Sequence, residues 1–577
     1  MLLFADVAAV FDELEKRSGR LEMTDILAEL FRKAGKEEIG KLVYVMQGII
    51  APPYTGIDVG IGERFAIDAI ANASGYTKAQ VDDDYKKSGD LGDTAEKLLE
   101  KRKQTALFTS EMDITYVYDA MMRISTASGT GSQEQKIKYL TELLNNASPV
   151  EARFLVRFVL GRLRLGVGDP TILDALSVAA KADKSLREPL ERAYNVCADM
   201  GLVARLFYED PKSIEGFRVQ PFKPLMPALA ERLSTPKDII EKIGKCGIEM
   251  KYDGFRLQCH KKGDMIRIYS RKLEDMTRMF PDVIDAVRKL KADEVIFEGE
   301  ALAYNAKKKR FFSFQQTMHR RRKHGIDEAS KEFPLNVFVF DILYLDGRDL
   351  TNEPYRERRR IIKEKFKGRK ILKPSKSVLV ARPARVEKIF KQALSEGLEG
   401  IMAKDLDSPY TAGKRKFAWI KLKKSYGKAV DTVDGVIVGY YLGRGARAEF
   451  EFGGLLIAVY NPDRGRLETV AKIGSGFTED EMVQLKGMLE DITTDRPPAN
   501  LDHQLEPDFW VEPKHVVEVA FDEITVSSIH TCGRKDGRGY ALRFPRMAKL
   551  RDDKTVKEIT TTEEVERMFS IQHGKRR

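Results

Sequence analysis

The stretch G-I-E-M-K-Y-D-G-F-R-L-Q-C-H, Gly247–His260, decides how this chain is read. Its apolar spacing is strand-like. Together with D-M-I-R-I-Y-S-R (Asp264–Arg271) it predicts two strands joined by a K-K-G-D turn. In its middle Lys251 stands between Glu249 and Asp253, with Gly254 and Arg256 close behind. Neighbouring carboxylates ordinarily keep a lysine protonated, and an isolated K-x-D-G is usually a solvated charge cluster. The other reading is a nucleophile. A free lysine has a pKa of about 10.4, so an attacking amine needs nearby cations or desolvation to become neutral.

Candidates for such company lie downstream. In W-I-K-L-K-K-S-Y (Trp419–Tyr426) alternation puts Lys421 and Lys423 on one strand face, with Trp419 in register and Ile420 and Leu422 opposite. E-G-E (Glu298–Glu300) ends the apolar run V-I-F, where a carboxylate is costly to bury unless it binds a metal, a hydroxyl or a cation. L-E-G-I-M-A-K-D-L repeats the idea with Glu399 and Lys404. Phe340, in F-V-F-D-I-L-Y-L-D-G, stands at a strand end where its ring could stack on a base. Singly, each has a plain structural reading, as a solvent face or a core aromatic.

The rest of the chain sets the frame. At 577 residues, about three or four domains are expected. An excess of 99 Lys+Arg over 88 Asp+Glu, net +11, fits a polyanionic partner such as nucleic acid. The four cysteines, Cys197, Cys246, Cys259 and Cys532, form no C-x-x-C pair, which argues against structural zinc and for a reduced, cytoplasmic protein. No apolar run is long enough for a membrane span, and the N-terminus reads as an amphipathic helix. Residues 1–215 carry apolar positions at helical spacing and predict an all-α domain. After the proline-punctuated P-F-K-P-L-M-P-A-L-A (Pro221–Ala230), residues 216–424 predict a mixed α/β domain. Short glycine-broken β runs over 425–577 predict a small barrel of OB-fold type with a C-terminal helix.

Order supplies the specificity that single motifs lack. K-x-D-G-x-R is followed by S-R (Ser270, Arg271), E-G-E, F-D-I-x-Y-L-D-G, E-G-I-M-A-K and W-I-K-L-K, all within one predicted domain. This series resembles the covalent nucleotidyltransferase superfamily, and most closely the ATP-dependent DNA ligases of archaeal type. R-F-P-R-M-A-K-L-R-D-D-K (Arg543–Lys554) resembles the ligase OB-domain motif, ending in R-x-D-K at Arg551, Asp553 and Lys554. G-D-L-G-D-T-A (Gly89–Ala95) and S-G-T-G-S-Q-E-Q-K (Ser128–Lys136) resemble parts of the ligase DNA-binding domain.

The resemblance implies an α/β adenylation domain flanked by a helical DNA-binding domain and an OB domain. It implies sealing of nicks in duplex DNA, in replication, repair and recombination, by a monomer using ATP and Mg²⁺. Lys251 would form lysyl-AMP, AMP would pass to the nick 5′-phosphate, and the 3′-hydroxyl would then displace it. Glu249 would lie at the adenine edge and Phe340 would stack on the base. Arg256 and Arg271 would hold ribose and phosphates, and Glu300 the ribose hydroxyls or the metal. Glu399 would bind the catalytic magnesium, while Lys421, Lys423 and Arg415 would hold the α-phosphate.

Further readings concern DNA and partners. The loop opening S-G-T-G-S-Q-E-Q-K could present free backbone N–H groups to a phosphate, and Arg153, Arg157, Arg162 and Arg164 offer phosphate contacts or a solvated basic helix. M-H-R-R-R-K-H-G (Met318–Gly325) reads as a DNA-proximal segment or an exposed loop. Gln104, Leu107 and Phe108 in Q-T-A-L-F resemble a contracted sliding-clamp-binding peptide; the alternative is a core-packed helix end. RNA-capping guanylyltransferases and RNA ligases share the lysine chemistry but usually lack a large preceding helical domain. A non-catalytic DNA-binding scaffold would not need Lys251, Glu300, Glu399, Lys421 and Lys423 together.

Overall fold

The run around Lys251 is not one strand but two. In the computed structural model, β2 (Cys246–Lys251) ends at the lysine, and β3 (Phe255–Lys262) belongs to a different sheet. The expected single strand is corrected by its own glycine. A Cβ on Gly254 would lie 2.2 Å from the carbonyl oxygen of Ala301, so glycine alone lets the chain cross there. The hairpin is as expected: β3 turns through Gly263 and pairs antiparallel with β4 (Met265–Ser270).

The structure describes the chain except for Ser18, 103–110, Arg162, Ser234, 306–309, Ser313, Lys323, 424–431, 444–450, Asp495, Asp553 and 574–577; a few other positions, Arg415 and Lys423 among them, are described by backbone alone. It divides into two units, Met1–Lys424 and Ser425–Arg577.

In the first unit, twelve described α-helices run from Phe4–Glu15 to Met200–Glu209 and bury their apolar stripes in one core. The strands that follow form two sheets. The five-stranded sheet has the order β1 (Leu229–Arg232), β12 (Arg415–Lys423), β11 (Gly400–Asp405), β2, β10 (Ser377–Val380). The seven-stranded sheet runs β4, β3, β5 (Glu294–Asn305), β7 (Leu335–Leu345), β8 (Arg348–Asp349), with β6 (Arg310–Phe311) on β5 and β9 (Leu372–Pro374) on β7. Helices Pro281–Arg288 and Tyr355–Phe366 contribute Val283, Val287, Ile361, Ile362 and Phe366 to the core of this second sheet.

The second unit is strand-rich, as an OB-type domain requires. Its main sheet is built on β13 (Thr432–Tyr441), which pairs with β14 (Gly454–Asn461) and with Val516–Ala520. Helix Glu479–Glu490 closes one side of that core, and Thr562–Gln572 is the predicted C-terminal helix. No described helix is long and apolar enough to cross a membrane.

Three of the four arginines offered for phosphate contact are spent inside the helical region. Arg157, 3% exposed, donates to Glu15 at 2.8 Å, Asp93 at 2.8 Å and Asp90 at 3.2 Å. Arg153 bridges Glu96 at 2.9 Å and Asp12, and Arg164 reaches Asp90 at 2.7 Å. A basic helix face cannot be told from such a cluster by sequence, because the carboxylates come from two other segments, residues 12–15 and 90–96. G-D-L-G-D-T-A serves the same cluster: Asp90 caps helix Leu91–Glu100, accepting from the amides of Gly92 and Asp93. The dense basic run splits similarly, with Arg320 buried against Asp282 at 2.6 Å and Arg321 on Glu274. By contrast, helix Ser132–Asn146 starts at Gly131 (φ 80°) without a side-chain cap. Arg162 and the Q-T-A-L-F segment lie outside the described residues.

Removing one partner from a buried ion cluster leaves the others uncompensated. Arg157→Met is expected to lower the unfolding free energy of the protein by about 3 kcal/mol, measured by denaturant titration. A loss below about 0.5 kcal/mol would show the cluster to be dispensable.

Candidate active site

Strand register assembles the site. Lys251 pairs with Gly400, and Gly400 pairs with Lys423. One step inward, Glu249 pairs with Met402 and Met402 with Lys421; the next rung is Gly247, Lys404 and Trp419. Residues opposite one another share a sheet face, so three strands bring the expected lysine, the two downstream lysine positions and Trp419 onto one surface. The facing surface belongs to the other sheet, where Arg256 is in register with Glu300, and Gln258 with Glu298.

Lys251 neither pairs with Glu249 nor is left to solvent. Its ammonium meets the carboxylate of Glu399, while the Glu399 amide donates to the Lys251 carbonyl at 3.1 Å. Glu300 stands on the other sheet and accepts from the Gly254 amide at 3.2 Å. Burial pushes the Glu300 carboxyl up to about 7, against the opposing pull of Lys251 and Arg256.

Glu249, 2% exposed, is committed to the sheet interior. One of its oxygens accepts from the Tyr355 hydroxyl, the other lies 3.4 Å from Lys404 Nζ, and Arg359 is 3.9 Å away. Lys404 is itself 1% exposed, donates to the Phe340 carbonyl at 2.8 Å and lies 4.1 Å over the Trp419 ring. Burial pulls the Lys404 amine below its usual range, against the attraction of Glu249 and Asp341. Phe340 stands in the middle of β7 and not at the strand end expected, half-buried, with Trp419 edge-on at 5.9 Å. Arg256 is likewise committed. It grips Glu298 with Nε at 3.1 Å and Nη2 at 2.8 Å, gives Nη1 to the Ala228 carbonyl, and lies over the Phe340 ring at 5.3 Å. Tyr410 completes this group by donating to Glu298 at 2.9 Å.

Some expected residues are not part of this contact set. Arg271 is exposed in the turn after β4. Arg415 and Lys423 are placed only by strand register, Arg415 beside Leu229 and Lys423 beside Gly400. Asp553 lies outside the described residues. Arg551 and Lys554 converge in the second unit on Asp434, at 3.1 Å and 2.6 Å. Tyr355, Arg358, Arg359 and Tyr410 were not singled out by sequence. Y-R-E-R-R-R looks like a charged helix face, and nothing in D-S-P-Y marks a buried tyrosine.

Three family models match this chain in order: DNA ligase N terminus over residues 3–177, ATP dependent DNA ligase domain over 227–423, and ATP dependent DNA ligase C terminal region over 448–554. The chain belongs to the ATP-dependent DNA ligase family. Curated relatives agree along the whole length. A probable DNA ligase of Dictyoglomus thermophilum is 45% identical over 99% of this chain and 98% of its own. A DNA ligase of Saccharolobus solfataricus is 41% identical, with 99% and 98% covered. The solved structure Pmar-Lig_PreS3 shares the fold at 17% identity, TM-score 0.57, covering 94% of this chain and 99% of its own. The activity is therefore ATP-dependent joining of nicked duplex DNA.

The residues present suit the groups this chemistry uses. Among the described residues no cluster of three or more His, Cys, Asp or Glu is gathered around a metal position. The Glu399 carboxylate is an oxygen donor of the kind Mg²⁺ takes together with substrate phosphates. Phe340 and Trp419 are aromatic surfaces on which a base would pack, and Lys421 stands on the same sheet face as Lys251.

The Glu300 shift gives a testable pH signature in the nucleotide-free protein. Its folded-state pKa, about 7, exceeds the ordinary 4.5, so folded protein keeps a proton that unfolded chain has released. Stability therefore falls as pH rises between those values, and a constant penalty remains above them. Glu300→Gln is expected to raise the melting temperature by a few degrees at pH 8 and to leave it unchanged near pH 4.5. An equal shift at both pH values would refute this.

Proposed function

We propose that Lys251 is the nucleophile of this ligase. Its neutral amine attacks the α-phosphorus of ATP, the bond from that phosphorus to the pyrophosphate oxygen breaks, and the amine proton leaves to solvent. AMP then passes to the 5′-phosphate at the nick, and the 3′-hydroxyl displaces it to make the phosphodiester. At each step the protein chiefly positions groups and neutralises charge. The observation that carries this reading is the set of residues around one amine: Glu399 on Lys251, Glu300 beneath Gly254, and the Lys421 and Lys423 positions on neighbouring rungs.

Around that amine the roles divide by position. Phe340 stacks on the base, and Glu249, fixed by Tyr355 and Lys404, lines its edge. Glu300 receives ribose hydroxyls, and Arg256, braced by Glu298, supports the base wall. Arg271 binds phosphate from the outer turn. Lys421, Lys423 and Arg415 hold the α-phosphate. Glu399, which meets Lys251 here, would hold Mg²⁺, and a bound magnesium ion would neutralise phosphate charge. Arg551, Asp553 and Lys554 act on the departing pyrophosphate. Residues 1–215 form the DNA-binding domain, 216–424 the adenylation domain and 425–577 the OB domain. The protein works as a cytoplasmic monomer in replication, repair and recombination, and Gln104, Leu107 and Phe108 dock it to a sliding clamp.

Lys251→Ala is expected to abolish transfer of label from α-labelled ATP to the protein while leaving binding of nicked duplex intact. Lys251→Arg fails equally, because a guanidinium stays protonated. Normal labelling of either variant would overturn the assignment. For the clamp, Leu107→Ala with Phe108→Ala is expected to remove clamp-stimulated ligation and spare clamp-free ligation. Unchanged clamp affinity would dismiss that docking segment.

A further inference from the structure

The second unit holds an acidic residue that no motif includes. Asp434 lies near the start of β13, directly opposite Glu518 of the neighbouring strand. Two carboxylates placed opposite one another on adjacent strands repel. Here cations intervene. Arg551 Nη1 lies 3.1 Å from Asp434 Oδ1, 3.4 Å from Oδ2 and 3.9 Å from Glu518; Lys554 Nζ is 2.6 Å from Asp434 Oδ2. The three side chains are mostly shielded, at 15%, 16% and 29% exposure for Asp434, Arg551 and Lys554.

The backbone around this group is fixed independently of the side chain. The Asp434 amide donates to Thr560 Oγ1 at 3.0 Å, its carbonyl accepts from the Thr560 amide at 2.9 Å, and the Arg551 amide donates to the Val516 carbonyl at 2.8 Å. What the carboxylate adds is the convergence of two cations that would otherwise splay apart by mutual repulsion. A guanidinium and an ammonium held side by side match a group with several adjacent anionic oxygens, which is the form of pyrophosphate.

We propose that Asp434 is a positioning residue for lysyl-AMP formation, holding Arg551 and Lys554 as a preformed pair for the pyrophosphate leaving group. This rests on the reading that Arg551 and Lys554 act on that group. Bringing the two charges together is accomplished when the unit folds, so no reorganisation is left for the moment of reaction. The carboxylate also leaves the trio with one net positive charge instead of two. That moderates its hold on pyrophosphate and lets product depart.

The test uses the full-length protein with Asp434→Asn, which keeps shape and backbone contacts while removing the charge, and Asp434→Glu as the conservative variant. Lysyl-AMP formation is followed with α-labelled ATP over a range of concentrations, and the second reaction is sealing of a nick already carrying 5′-AMP. Asp434→Asn is expected to lower kcat/KM for lysyl-AMP formation about tenfold and to change sealing by less than about twofold. Asp434→Glu recovers part of the loss. In an Arg551→Ala background, Asp434→Asn adds little, since the two act as one group. Unchanged or faster lysyl-AMP formation in Asp434→Asn, with Arg551→Ala impaired, overturns the role of Asp434 alone. Equal losses in both reactions, or full additivity with Arg551→Ala, also overturn it. If Arg551→Ala leaves lysyl-AMP formation intact, the pyrophosphate reading itself falls.

Discussion

The site depends on one close approach of backbone to backbone. At Gly254 the chain passes so near the Ala301 carbonyl that no side chain fits, and there it leaves one sheet for the other. Lys251 is the last residue before that crossing, so its side chain stands at a strand end between two sheets instead of within a ladder. Tyr252 anchors the crossing by stacking on Phe338 of the facing sheet, with ring centroids 4.0 Å apart. The same glycine gives its amide to Glu300. A single steric constraint thus sets Lys251, one carboxylate and the crossing between the sheets that carry the remaining residues.

The second theme is the segregation of charge. Glu249, Lys251 and Asp253 are crowded in sequence, yet strand geometry gives the first two separate partners. Glu249 is taken by Tyr355, Arg359 and Lys404, and Lys251 by Glu399. Buried ions of this kind persist only when each has a partner, and here the partners come from the helix Tyr355–Phe366, from β11 and from Glu399 just before it. The cost of burying Lys404 is offset by two carboxylates, a backbone carbonyl and the ring of Trp419.

Much of this was legible in the order of motifs. Helical periodicity before residue 215, strand alternation around Trp419–Lys423 and the run of motifs from Lys251 onward each follow from local spacing, which sequence displays directly. What sequence concealed was partnership. Arg157 reads as a basic helix face because Glu15, Asp90 and Asp93 are remote along the chain. The resemblance makes Arg256 a ribose and phosphate ligand until Glu298 is seen on the neighbouring strand. The break at Gly254 does leave a mark in the sequence: the apolar positions are even at Ile248, Met250 and Tyr252 and odd at Phe255, Leu257 and Cys259, and the proximity of Ala301 shows why the two halves diverge.

The Arg153–Arg157–Arg164 cluster bears on how the helical region behaves when heated. Hydration of charged groups becomes less favourable as temperature rises, so the cost of withholding water from these ions shrinks. The gain from burying apolar surface levels off over the same range. Five carboxylates and three guanidinium groups drawn from separate segments therefore hold the helices together more effectively, relative to the core, in hot conditions than in cool ones.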